Sequence, residues 1–228
     1  KIRTKVLRDR MEDHAEFLRD DWFKMPDPYP ENYQSFPTAK PRGFKDKLTS
    51  ELAAGVIKRS IPYIDKESRV TKADISLTER ASYGLTALAN DKLRSEQLPN
   101  IQSQVADDIP LRGWVVKRVW LYEEKEHGAP KLIVDVAVWD ILNVYWAGGG
   151  NNLKVCNVEY VYEDDVKAQY PKATGYSPDQ AGRVPTYKWW DKEWNLVAIG
   201  DTTVYQQHHN RGYVPVYIMP VGSSRLRQ

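Results

Sequence analysis

Along this chain the spacing of apolar residues changes once. Up to about residue 110 they recur every three or four positions, as on a helix that buries one face, and from Gly113 onward they alternate or run together, as in strands. Leu7, Met11, Leu18, Trp22 and Met25 predict one amphipathic helix over residues 1–25, closed by Pro26. Residues 26–44 hold five prolines and little periodicity, which predicts an ordered loop or an arm lying on another surface. Leu48, Leu52, Val56 and Ile57 predict a short helix that stops before Pro62. Thr71 with Asp74 reads as a capping box opening the longest helix, residues 72–97, with Leu77, Ala81, Leu85 and Leu88 as its buried stripe and Pro99 beyond its end. Ile101, Val105 and Ile109 then predict a short helix closed by Pro110, antiparallel to the one before it.

The β half is built around Leu132–Trp146, LIVDVAVWDILNVYW, the densest strand-forming stretch of the chain. Apolar residues occupy both of its parities, which predicts a central strand covered on both sides. Asp140, Asn143 and Gly148–Gly149–Gly150 then predict a corner and a hairpin, with Asp140 as a corner carboxylate accepting backbone amides. WVVKRVWLYEE precedes this stretch as a strand, and LKVCNVEYVY follows it as another. EDDVKAQYP predicts one helical turn ending at Pro171, and 172–183 a loop. VPTYKWWD, WNLVAIG and TTVYQQHH predict a three-stranded meander with turns at Asp191-Lys192-Glu193 and Gly200-Asp201, and an extended segment lies between Gly212 and Pro220. The fold class is therefore α+β: N-terminal helices (1–110) followed by a mostly antiparallel β-rich section (111–228).

Composition narrows the function classes. With 33 basic and 31 acidic residues, a net charge of +2 provides no bulk attraction to nucleic acid or an anionic membrane. A single cysteine, Cys156, excludes an internal disulfide framework and a multi-cysteine zinc site. No apolar run approaches the ~20 residues of a membrane-spanning helix. Eight tryptophans and fourteen tyrosines in so polar a chain point to aromatic-rich β-structure or an extensive interface. The sequence opens at Lys1 rather than methionine, as a processed chain or an excised segment does.

Candidate chemistry is sparse. His208 and His209 are adjacent in a strand and so point to opposite faces, which makes them poor co-ligands for one metal. Cys156 reads as a small buried hydrophobe, since nothing near it in sequence lowers a thiol pKa. Glu163, Asp164 and Asp165 lack the alternation of a calcium loop and read as helix N-terminal carboxylates. Gly148–Asn152 lacks the lysine and hydroxyl of a phosphate loop. Tyr187, Trp189, Trp190 and Trp194 have the composition of a stacking surface for sugars or single-stranded bases, although an aromatic core or interface is the commoner use. No cofactor, metal or catalytic group is expected; a hydrolase using Asp140 with a distant acid ranks third, behind a structural role and a glycan- or peptide-binding β-domain.

The order of features resembles the N-terminal wing of the portal, or head-to-tail connector, protein of tailed bacteriophages. GWVVKRVWLYEE is similar to that family's strand after the helical pair, and DVAVWDILNVYW to its hydrophobic strand, through Trp139, Asp140, Asn143, Tyr145 and Trp146. EDDVKAQYP is similar to its short helix ending at Tyr170-Pro171; YKWWD, with Trp189 and Trp190, and HNRGYVPVYIMPVGSS, with Gly212 and Pro215, resemble its later strands. Ile141 departs from the pattern, standing where the family often has proline. The resemblance covers about Phe17 to Ser224 and rests on order and spacing. It implies a non-enzymatic virion protein, present in the host cytoplasm during assembly, that forms a ring, usually a dodecamer, at one capsid vertex. Double-stranded DNA would pass through that ring in packaging and ejection. The implied partners are further copies of the chain, the major capsid protein, a head-tail adaptor and the terminase, with no membrane. Stem, clip and crown would lie beyond Gln228, no residue is assigned to DNA contact, and the excerpt alone is expected to aggregate.

Overall fold

The computed structural model describes residues 2–18, 40–55, 72–126 and 129–221. Four helices come first: α1 (Ile2–Leu18), α2 (Lys40–Ala54), α3 (Lys72–Ser95) and α4 (Ile101–Arg112). The strands are β1 (Trp114–Glu126), β2 (Ala129–Trp139), β3 (Val144–Ala147), β4 (Lys154–Tyr162), β5 (Arg183–Trp190), β6 (Trp194–Ile199), β7 (Thr202–His208) and β8 (Val216–Pro220), with one short helix, α5 (Glu163–Gln169), between β4 and β5. The class is α+β with antiparallel sheets, helices first and the β-rich section after. The chain forms two compact units. One comprises Lys1–Gly113, Val119–Val138 and Pro220–Gln228, and the other Trp114–Arg118 and Trp139–Met219.

In the first unit Met11 of α1 is buried; Trp22, Met25 and the rest of the expected helix lie outside the described residues, as do Pro26, Val56, Ile57, Thr71 and its expected capping box. Residues 26–39 of the expected arm lie outside the described residues, and its last five residues are helical. Lys40–Phe44 is already the first turn of α2, where Pro41 is tolerated because its missing N–H has no helical acceptor there. α4 runs along α2, tied by a Lys45–Asp107 ion pair and by Gln102 Nε2, which donates to the carbonyl oxygens of Leu52 and Gly55. Where α3 and the expected partner α4 meet, the Ile101 amide donates to Asn90 Oδ1 and Ile101 packs against the cluster that holds Ala89.

Pro110 does not end α4. The helix continues to Arg112 and closes at Gly113, whose left-handed backbone (φ 66°) lets its N–H reach the Ile109 carbonyl. The residue four before Pro110 is Ala106, buried and small. Asn100 caps the start, accepting the Ser103 amide at 2.9 Å.

The buried stripe of α3 is rotated from the one the spacing suggests. Ala89 and Leu93 are buried and Leu85 packs against Ala89, Val134 and Val136, whereas Leu77 (66% accessible) and Leu88 (46%) face outward with Ala81. Helical apolar spacing alone admits both stripes; contact with β2 selects the one through Ala89, reinforced by Lys92 Nζ at 3.1 Å from Asp135. Burial, which opposes the charge on Lys92, is outweighed by its bonds to Glu96 and Asp135, so its pKa rises. α3 ends in a Schellman turn: the Leu98 amide donates to the Leu93 carbonyl and the Gln97 amide to that of Arg94, with Gln97 itself at φ 60°.

β2 is not a central strand. It stands at the end of a three-stranded sheet ordered β2-β1-β8. Val134 and Val136 pack on α3, and from Trp139 the chain belongs to the second unit.

The second unit is an antiparallel meander, β3-β4-β5-β6-β7, in sequence order. α5 and the loop after it cover one face, where Val166, Val184 and Ile199 form a fully buried cluster joined by Val161, Tyr170, Ala173, Tyr176 and Val204. The expected corner is present: Asp140 Oδ1 accepts the Leu142 amide at 3.0 Å and caps a single 3-10 turn, Ile141–Asn143, that leads into β3. Gly148–Asn152 turns the β3–β4 hairpin. At Gly148 (φ 76°) a Cβ would lie 2.2 Å from the Asn152 carbonyl oxygen, so the turn requires glycine.

Candidate interaction surface

Residues paired across an antiparallel ladder project to the same side of the sheet, so the register sorts every side chain of the meander. One row runs Tyr145, Cys156, Trp189, Leu196, Gln206; the next pairs Val158, Tyr187 and Ala198; a third pairs Tyr160 with Pro185, and a fourth Tyr162 with Arg183. Trp194 and His208 pair on this side too. The opposite rows carry Val144, Val155, Asn157, Val184, Thr186, Trp190, Val197 and Ile199, all buried. The outward face is thus aromatic, with Lys154 (paired with Ala147) and Arg183 as its charged strand residues. Tyr145, Tyr160 (53% accessible), Tyr162 and Tyr187 (41%) stand exposed around Val158, and no strand residue on it is a carboxylate.

This arrangement divides the expected stacking cluster. Tyr187, Trp189 and Trp194 share the outer face, and Trp194 meets His208 edge-on with ring centroids 4.8 Å apart. Trp190, one residue along, is 2% accessible on the inner face, with the Arg118 guanidinium 5.7 Å above its ring and His209 5.9 Å away. Period-2 alternation separates the two tryptophans; the string YKWWD does not say which is inside.

The turn between β5 and β6 is clamped by Asp191. Its Oδ1 accepts the amides of Glu193 (2.8 Å) and Trp194 (2.7 Å). Burial, which disfavours the carboxylate, is outweighed by these amides and the Trp189 indole, so the Asp191 pKa is lowered. The buried His209 ring is fixed on the same turn. Its Nε2 lies 2.9 Å from the Asp191 carbonyl, which can only accept, so Nε2 donates, and its backbone amide donates to the Glu193 carbonyl. His208 and His209 therefore diverge as expected.

The remaining candidates serve the fold. Trp139 is buried, Asn143 ends the 3-10 turn, and Trp146 lies half-buried with its ring 6.3 Å from that of Trp114. Tyr170 closes α5 through its amide to Val166, and burial raises its phenol pKa; Pro171 follows it at the surface. Glu163, Asp164 and Asp165 form the first turn of α5, where Glu163 pairs with Lys167 at 2.9 Å. Gly212 turns the chain at φ 72°, and Pro215 is fully buried. Cys156 is half-buried on the outer face, and burial pushes its thiol pKa up. Among the described residues no group of three His, Cys, Asp or Glu side chains is placed to hold a metal ion, and no helix is long and apolar enough to cross a membrane.

Sequence reading missed Tyr160 and Tyr162 as surface features. Their signal was present: tyrosines two apart in NVEYVY mark one face of a strand, and Tyr187 and Trp189 repeat the spacing on β5. No protein-family model matches the chain, and no curated protein matches it.

Proposed function

We propose that the chain is a structural, ring-forming protein of the portal type, corresponding to the wing section of a tailed-phage connector. The observation that carries this reading is the outer face of the five-stranded sheet. Tyrosine, tryptophan and Arg183 without strand carboxylates approach the composition of an interface centre, where aromatics and arginine are enriched and acids depleted, with Lys154 at the edge of the face. The order of elements, helices and then a β-rich section, agrees with the resemblance of its strings to portal wings. A net charge of +2 suits a channel that passes double-stranded DNA without gripping it, because each neutralised phosphate adds affinity. On this reading the partners are further copies of the chain, the capsid protein, the head-tail adaptor and the terminase, the place is the capsid vertex, and the role is not enzymatic. Mass measurement and negative-stain imaging of the full-length protein test it. A closed ring with a central channel is expected, and a strict monomer under all conditions refutes it.

A second reading has one specific observation in its favour. Tyr187, Trp189 and Trp194 lie on one face, as a stacking platform for a glycan or peptide requires. Under that reading Tyr187→Ala and Trp189→Ala abolish retention on a glycan or peptide array while the fold persists; under the portal reading they reduce assembly.

A further inference from the structure

Among the described residues, two surfaces that expose apolar side chains differ in shape. The first is the outer sheet face with Tyr145, Tyr160, Tyr187, Trp189 and Trp194. The second is the outward stripe of α3, Leu77, Ala81, Gly84 and Leu88, at spacings of four, three and four, the repeat of a helix that packs along its length. The stripe is flat at its middle, since a Cβ built at Gly84 meets nothing within 4 Å. One surface is a broad aromatic sheet, the other a narrow helical ridge.

Resting on the ring-forming reading, we propose that the α3 stripe of one copy packs across the outer β3–β7 sheet face of the next. Helix on sheet is one of the few layer pairings that buries both kinds of apolar surface. The stripe fits within the sheet face. The eleven steps from Leu77 to Leu88 rise ~17 Å at ~1.5 Å each. The five strands, ~4.8 Å apart and mostly five to nine residues long at ~3.3 Å each, present roughly 20 by 20–25 Å, or about 500 Å² in projection. The stripe, about 10 Å wide, covers roughly 170 Å² of that face in projection, less than the ~800 Å² per partner of a stable binary interface, and closure of a ring, which gives every copy two such contacts, adds to its hold. Small residues at Ala81 and Gly84 let the helix axis approach the rings, and the absence of strand carboxylates leaves no unpaired acid under it. Because the two patches differ, the contact is heterologous. Repeated from copy to copy, it closes a ring or extends a filament, whereas a like-on-like contact stops at two.

Cys156, the only cysteine, lies on the sheet face and makes the contact testable. The full-length protein carrying Gly84→Cys, a substitution into open space, is assembled and treated with a short bis-maleimide. Denaturing gels are expected to show a ladder of covalent multimers that disappears when Cys156→Ala is added. In parallel, Tyr187→Lys and Leu88→Lys are each expected to lower the assembled fraction at least about tenfold in mass photometry, with unchanged circular dichroism. Rings that form without the ladder, a ladder that survives Cys156→Ala, or a bridge confined to one chain overturns this contact and leaves the ring-forming reading standing. Absence of assembly at any concentration overturns both.

Discussion

Replacing Trp190 and Tyr187 by alanine, one at a time, separates the two faces of β5 by energy. Trp190 is 2% accessible and Tyr187 is 41% accessible, three residues away on the other side of the same strand. An indole buried to this extent removes about 200 Å² of apolar surface from water, worth about 5 kcal/mol at ~25 cal/mol per Å². Part of that is retained by the alanine methyl and by relaxation of the site, while the cation–π contact with Arg118 adds about 0.5–1 kcal/mol, so Trp190→Ala is expected to cost about 3–5 kcal/mol. Tyr187 keeps much of its ring in water, and its truncation is expected to cost about 1 kcal/mol. Urea unfolding followed by fluorescence, at protein concentrations where the chain is not assembled, gives both values at unchanged m. Equal losses for the two variants, or a larger loss for Tyr187→Ala, refute the assignment of Trp190 to the inside and with it the register on which the outer face depends.

Three further substitutions probe local geometry. Gln97→Gly relieves a left-handed backbone at the end of α3 and is expected to raise stability by about 1 kcal/mol, read as a higher urea midpoint. Gly148→Ala places a methyl group against the Asn152 carbonyl at positive φ and is expected to lower stability by about 2 kcal/mol or more, with the hairpin amides of β3 and β4 losing hydrogen-exchange protection first. Asp191→Asn is expected to destabilise the β5–β6 turn near neutral pH. Since the folded pKa of Asp191 lies below its unfolded value, its contribution is present above the unfolded pKa and is lost as pH falls through the folded one. The gap between wild type and variant should therefore close in acid, and a gap that is flat or widens there contradicts the clamp.

Much of the local structure was legible in the sequence because it depends on local chemistry. Gly200-Asp201 and Asp191-Lys192-Glu193 mark their turns through residues whose backbone or side chain makes the turn, and Asp140 caps its corner as its place beside Asn143 indicates. Pro110 misled because proline removes one helical N–H without by itself ending a helix; it stands in the last turn of α4, and the stop is made beyond it by Gly113. The outer face was only half legible. The tyrosine spacing lies in NVEYVY itself, but its union with Tyr187 and Trp189 exists only once β4 pairs with β5.

The sequence by itself determined where the hydrophobic period changes, and therefore where helices give way to strands, which residues turn the chain, and that one cysteine and a balanced charge leave little for disulfide or bulk electrostatic roles. Only the tertiary structure decided sidedness. Leu77 and Leu88 satisfy a helical stripe as well as Leu85 and Ala89 do, and Trp189 and Trp190 are equally apolar. Which of each pair is buried depends on what packs against it, Val134 and Val136 in the first case, Arg118 and His209 in the second, and those partners lie far away along the chain. Periodicity fixes the angle between side chains on an element, whereas its orientation toward the core is fixed by contacts that no local window contains.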